Sequence, residues 1–196
     1  LSRGLGDVYK RQVYNHTYST EHGPFQNTVP DYYYRMEPDG RFQNGTGVGN
    51  ETASEHEMYR KYMIDSLTHW VKEYQIDGFR FDLMGIHDVR TMNAIREAMD
   101  ALDPRILLYG EGWDMGTGLA PEDKAKKDNA AQLPRIGFFN DTERDAIKGA
   151  EVYGSIKRGF VSRKSTENIV ARAVLGSAEP VSYTHLRAHE TGRNLV

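Results

Sequence analysis

The chain has 196 residues, a net charge of −3 and no cysteine. Its length suits one ordinary domain, its charge offers no basic field for nucleic acid, and the lack of cysteine removes disulfide and thiol chemistry. No run of about 18 apolar residues occurs, so no membrane-spanning segment is predicted.

Residues 1–12 (LSRGLGDVYKRQ) and 181–196 (VSYTHLRAHETGRNLV) show no usable periodicity. Both resemble translated adapter read-through. They are set aside as a non-native leader and a non-native tail. Residues 13–180 are left as the part from which a fold is read. Residues 13–15 read as the end of a strand, with His16 just after it. Residues 17–49 are polar and aromatic, with three prolines and a glycine-rich end. They read as a loop, and one so long is usually functional.

A helix follows. Ser54 and Glu57 have the spacing of a capping box, and Tyr59, Met63, Leu67, Trp70 and Tyr74 recur at helical intervals. Asp77-Gly78 ends it, and residues 79–82 form the next strand. Asp88 is the expected N-cap of a second helix with Val89, Met92, Ile95, Met99 and Leu102 on one stripe, stopped by Pro104. Residues 106–109 are continuously apolar, as in a strand buried on both faces. A second long loop covers 112–134. A strand over 136–139, a short helix from Asp141 towards Lys148, a loop over 149–159 and a last helix over 167–175 complete the pattern.

Strand, loop, helix, strand is the rhythm of βαβ units and a parallel sheet. The loops after the strands are long and those before them short, as in a (β/α)8 barrel, whose site lies on the C-terminal rim. Two strands end on carboxylates. Asp82 closes Gly78-Phe79-Arg80-Phe81-Asp82, and Glu111 lies in Tyr109-Gly110-Glu111-Gly112-Trp113-Asp114. They are 29 residues apart, one βαβ step. Their strands are therefore expected to be neighbours roughly 4.8 Å apart. Carboxyl groups about 5–5.5 Å apart are what a retaining glycosidase needs. Arg80 shares the face of Asp82 and keeps it ionised as a nucleophile. Gly110 and Gly112 let a bulky substrate approach Glu111, which serves as the acid. Taken alone, either carboxylate is more often a turn or surface residue, and His16, His69 and His87 read as structural. Trp113 suits a sugar-stacking platform. No cluster of oxygen ligands surrounds Asn15, so no metal site is predicted.

These motifs resemble the α-amylase superfamily of glycoside hydrolases, and within it type I pullulanases most closely. The likeness rests on Val13-Tyr14-Asn15-His16, residues 78–84, residues 109–114, residues 44–52 (NGTGVGNET) and residues 136–141 (IGFFND). The Asp that normally begins the first motif is missing. The resemblance implies a retaining enzyme that cleaves α-1,6 links in pullulan and related α-glucans. No cofactor is required, and calcium, though compatible, has no support in the sequence. It implies Asp82 as nucleophile and Glu111 as general acid/base. Arg80 would orient Asp82. His16, with Tyr14 and Asn15 of its motif, would bind the sugar. Trp113 and Asp114 would line the leaving-group side, and Asn140 and Asp141 would add substrate contacts. A further His-Asp pair of the family has no counterpart in 13–180, because His185 and His189 fall in the set-aside tail. The resemblance thus implies a truncated fragment of the barrel, strands three to six of eight, with open edges and poor solubility, and inactive alone. An isoamylase, α-amylase or neopullulanase specificity, or a non-catalytic barrel relative, are the alternatives.

Overall fold

Three short parallel strands organise the first part of the chain in the computed structural model. Strand β1 is Tyr9–Gln12, β2 is Gly78–Phe81 and β3 is Leu107–Gly110, side by side in that order. The register pairs Arg11 with Arg80 and Arg80 with Tyr109, and Gln12 with Phe81 and Phe81 with Gly110. The structure describes residues 8–149, 151–152, 155–156, 158–162 and 167–174. These fall in two compact units, 1–136 and 137–196. The α/β class and the parallel sheet read from the sequence are both present. The first strand lies earlier than expected, within residues set aside as leader, and 13–15 follow it. Residues 1–7 and the tail 181–196 are outside the described residues.

Helix α1 (Pro24–Thr28) is a single five-residue piece inside the first long loop. Helix α2 (Glu57–Tyr74) buries Tyr59, Met63 and Leu67 and packs against α3 (Val89–Leu102), which buries Met92, Ile95 and Met99. Both stripes match the helical period. Each such apolar side chain contributes about 1.5–3 kcal/mol on full burial. Trp70 and Tyr74 continue the stripe of α2 but are not buried; Lys10 lies over the Trp70 ring instead.

The expected capping box is absent. His56 is the N-cap of α2 and makes no side-chain cap bond. Ser54 turns to Asp88 instead: its hydroxyl donates to Asp88 Oδ2 at 2.7 Å and accepts from the Asp88 backbone N–H at 2.9 Å. Asp88 caps α3 as predicted, accepting from Thr91 N at 2.8 Å. Helix α2 ends at Gln75 in the left-handed region, two residues before the predicted stop.

Period-2 alternation splits the sheet into two faces. Phe79, Phe81 and Leu108 are buried on one; Arg11, Arg80 and Tyr109 occupy the other. Strand β3 is therefore not buried on both faces as its apolar run implied, and Leu107 stays 40% exposed.

The second unit is described by itself. Strand β4 (Ile136–Phe138) leads into it. Helix α4 (Asp141–Lys148) is capped by Asn140, whose Oδ1 accepts from Glu143 N at 3.0 Å. Two two-residue strands, β5 (Glu151–Val152) and β6 (Ser155–Ile156), pair antiparallel where a loop was expected. They are too short to carry an alternation signal. Helix α5 spans Glu167–Val174.

His87 ends a 3-10 turn, Met84–Ile86, that follows β2. It is fully buried, and neither ring nitrogen has a hydrogen-bond partner among the described residues. Burial, then the nearby Arg35 charge, push its pKa down to about 3; Asp88 opposes this weakly. The folded chain thus holds His87 neutral, while the unfolded chain takes up a proton below about 6.5. Stability from this group is complete above pH 6.5 and falls as pH drops towards 3. Urea midpoints measured between pH 7 and 5, above most carboxylate titrations, should decline in the native chain. They should decline less steeply in His87→Asn.

Candidate active site

The two strand-end carboxylates extend the sheet register by one step, since Phe81 pairs with Gly110. Asp82 N donates to Gln12 O at 2.9 Å and Glu111 N to Phe81 O at 3.1 Å, so the ladder continues through both residues. Side chains in register on parallel strands leave the sheet on the same side.

One guanidinium joins them. Arg80 Nη2 donates to Glu111 Oε1 at 2.5 Å, and Arg80 Nη1 reaches Asp82 Oδ1 at 3.4 Å. The planar fork presents both nitrogens at a fixed spacing, so the two oxygens lie within about 8 Å of one another. Both carboxylates are mostly sheltered, with side chains 13% (Asp82) and 19% (Glu111) exposed. Arg80 was expected to serve Asp82 first; its shorter bond is to Glu111.

Two partners of this pair escaped the sequence reading. Arg11, 61% exposed, donates from Nε to Asp82 Oδ1 at 3.1 Å and also from Nη2. Asp82 Oδ2 carries no hydrogen bond among the described residues. Leu83 sits in the left-handed region at φ 43°, and its N–H donates to Glu111 Oε2 at 3.0 Å. A non-glycine residue there costs of order 1–3 kcal/mol and typically persists where function requires it. Each Glu111 oxygen keeps a second lone pair on which a proton can sit.

Gly85 supports the same corner. Its N–H donates to Glu111 O at 3.2 Å, and a Cβ there would overlap the Trp113 carbonyl oxygen. The absent side chain of Gly110 is likewise filled from within, by the Phe81 carbonyl and Met84, rather than left open for substrate as expected.

The remaining predicted residues divide. His16 is half-buried beside Asn15, its Nδ1 against Asn15 Oδ1. Asn15 is wholly buried, and its Nδ2 donates to the Asp82 backbone carbonyl at 2.7 Å. Tyr14 is also buried; its hydroxyl donates to Ser66 Oγ at 2.9 Å, and burial pushes its pKa up to about 12. Neither Tyr14 nor Asn15 has the open surface expected of a sugar contact; Asn15 braces Asp82 from behind. Trp113 is partly exposed. Asp114 is 56% exposed and pairs with Lys126 at 2.8 Å and Lys124 at 3.1 Å. Lys126 first, then Lys124, hold its carboxyl below the usual range. Asn140 and Asp141 lie in the second unit, one as the cap and the other as the first residue of α4.

Among the described residues, no three His, Cys, Asp or Glu side chains gather as a metal site, and no helix is long and apolar enough to cross a membrane.

No protein-family model matches the chain. Individual proteins do. The pullulanase of Bacillus subtilis (strain 168) is 51% identical over 137 residues, 70% of this chain and 19% of that protein. Pullulanase 1, chloroplastic, of Arabidopsis thaliana is 38% identical over 169 residues, 76% of this chain and 17% of that protein. The crystal structure of the Paenibacillus barengoltzii pullulanase in complex with maltohexaose and α-cyclodextrin superposes with a TM-score of 0.86 at 48% identity, over 92% of this chain and 28% of that one. The chain spans less than a third of the length of each. In sequence and backbone alike, it belongs over the greater part of its own length with the pullulanases, a family of glycoside hydrolases.

Proposed function

We propose that this chain carries the nucleophile and the general acid/base of a retaining hydrolase that cleaves α-1,6 links in pullulan and related α-glucans. One observation carries the reading: Arg80 holds Asp82 and Glu111 together at the ends of adjacent parallel strands. Neighbouring strand ends lie about 4.8 Å apart, compatible with the 5–5.5 Å of a double displacement. In this reading β1 to β3 are consecutive strands of a (β/α)8 barrel, and the long loops after them form the substrate rim. The Paenibacillus pullulanase, with its bound maltohexaose, supports a glucan as the substrate class.

The chemistry follows from the contacts. Asp82 Oδ2, which accepts no hydrogen bond among the described residues, attacks the anomeric carbon while Glu111 passes a proton to the departing glycosidic oxygen. Glu111 then takes a proton from water, which releases the sugar from Asp82. Arg80 touches both groups and neutralises the pair, whichever of them is charged. Asn15 and the Leu83 N–H hold the two side chains in place. Trp113 offers an aromatic surface to the leaving sugar. A carboxylate pair of this kind needs no cofactor, and none of these steps uses calcium.

The test replaces the matching segment of the Bacillus subtilis pullulanase with residues 13–140 of this chain. The chimera is expected to convert pullulan to maltotriose. Panose as product would assign α-1,4 cleavage and replace the proposed bond specificity with a neopullulanase-type one. A folded chimera without hydrolysis would refute the catalytic reading.

A further inference from the structure

We propose that a cleft in the first long loop, sharing no residue with the carboxylate site, is a second saccharide site that takes the end of a neutral α-glucan chain. The cleft has a volume of about 370 Å³ and is lined by Asp31, Tyr34, Met36, Gln43, Glu55 and His56, with Arg35 and Gly118 completing it. That volume falls within the roughly 300–1,000 Å³ of small-molecule sites.

Its chemistry selects a polyol. Gln43 Nε2 and His56 Nε2 have no protein partner among the described residues and can donate or, for the imidazole, accept. Asp31 Oδ2 is free in the same sense, because Gln26 occupies Oδ1 at 2.6 Å. Glu55 is still 33% exposed after binding Arg35. Met36, partly exposed, supplies apolar surface beside these groups. Sugars present hydroxyls and C–H faces in the same alternation.

An anion is disfavoured. The guanidinium of Arg35, at the cleft, is already matched, by Glu51 at 3.0 Å and Glu55 at 2.8 Å, and Asp31 adds a further carboxylate to the lining. The acidic groups do not converge as a cation site.

The walls are preorganised. Gln43 N donates to Arg35 O at 2.9 Å, and Arg35 N to Glu51 O at 3.1 Å. Gly118 N donates to Gln43 Oε1 at 3.0 Å, and any Cβ on Gly118 would overlap that amide. The second long loop thus pins the Gln43 side chain before a ligand arrives, which lowers the ordering cost of binding.

The choice of an α-glucan, as opposed to another neutral sugar, rests on the proposed hydrolase activity. The site itself is tested without turnover. Maltotriose is titrated into the 196-residue chain by calorimetry, with backbone amide shifts followed by NMR. Saturable binding is expected, with shifts at Gln43 and Gly118. Gln43→Ala and Asp31→Asn should each weaken it about fivefold or more, the loss of one hydrogen bond. Lys61→Ala, at an exposed position of α2 that does not line the cleft, should leave it unchanged. Both cleft substitutions are at residues that are not buried, and unchanged circular dichroism melting checks the fold. The proposal is overturned if no saturable shift appears at the cleft, or if both cleft variants bind like the native chain. Equal binding of cellotriose would overturn the α-glucan assignment. An inactive chimera would remove the hydrolase reading and leave this titration untouched, so the two failures are separable.

Discussion

In the pullulanase chimera, Asp82→Asn is expected to reduce turnover of pullulan by about a thousandfold or more while leaving glucan affinity nearly unchanged. The amide keeps the shape of the carboxylate and an oxygen facing Arg80 and Arg11. It lacks the charge needed to displace the leaving group and form the covalent intermediate. The loss therefore falls on kcat and not on KM. Glu111→Gln gives a second, diagnostic signature. It removes the proton donor, so turnover of pullulan collapses as well. An aryl α-glucoside with an acidic phenol leaves without that proton, so its first step should be largely spared, while the Asp82 variant loses both substrates. Equal losses on both substrates in both variants would undo the division of roles. Arg80 makes a further contrast. Arg80→Lys keeps one charge but cannot reach both carboxylates with a fixed fork, so it should perturb both steps.

Much of this site was legible because its signals are local. Asp88 caps α3 within three residues of itself, and Met92, Ile95 and Met99 follow one helical stripe. Asp82 and Glu111 could be placed as neighbours because each ends a strand and one helix separates them. What escaped is long-range or lacks an apolar signature. Strand β1 is Tyr-Lys-Arg-Gln, with no hydrophobic alternation, so Arg11 was discarded with the leader although the structure places it on Asp82. Ser54 looked like a cap for the next helix, yet its partner is Asp88, 34 residues on. Tyr14 and Asn15 were assigned to substrate by their motif, but the tertiary fold buries them. The left-handed Leu83 could not be read, because leucine carries no preference for that conformation.

The motif at residues 44–52 was recognised without a role, and the buried network around Glu51 supplies one. Arg35→Leu is expected to destabilise the chain by about 3–5 kcal/mol, because it strands a buried charge. Glu51 is wholly inaccessible and Arg35 is 6% exposed. Arg35 Nη1 donates to Glu51 Oε1 at 3.0 Å and to Thr117 Oγ1 at 2.7 Å; Gly45 N donates to Glu51 Oε2 at 2.6 Å. Burial alone would lower the pKa of the guanidinium, but Glu55 and then Glu51 more than reverse this, and it is raised. Arg35 thus stays charged, and Thr117, six residues beyond Glu111, donates to Glu51 and ties the second long loop to the pair. Urea unfolding followed by circular dichroism measures the loss. Glu55→Gln should cost under about 1 kcal/mol, since Glu55 is 33% exposed and water can replace it. The decisive comparison is the double variant Arg35→Leu with Glu51→Leu. If the cost comes from the stranded carboxylate, removing that carboxylate restores much of the stability. A double variant as unstable as the single would place the loss in packing around Arg35 instead.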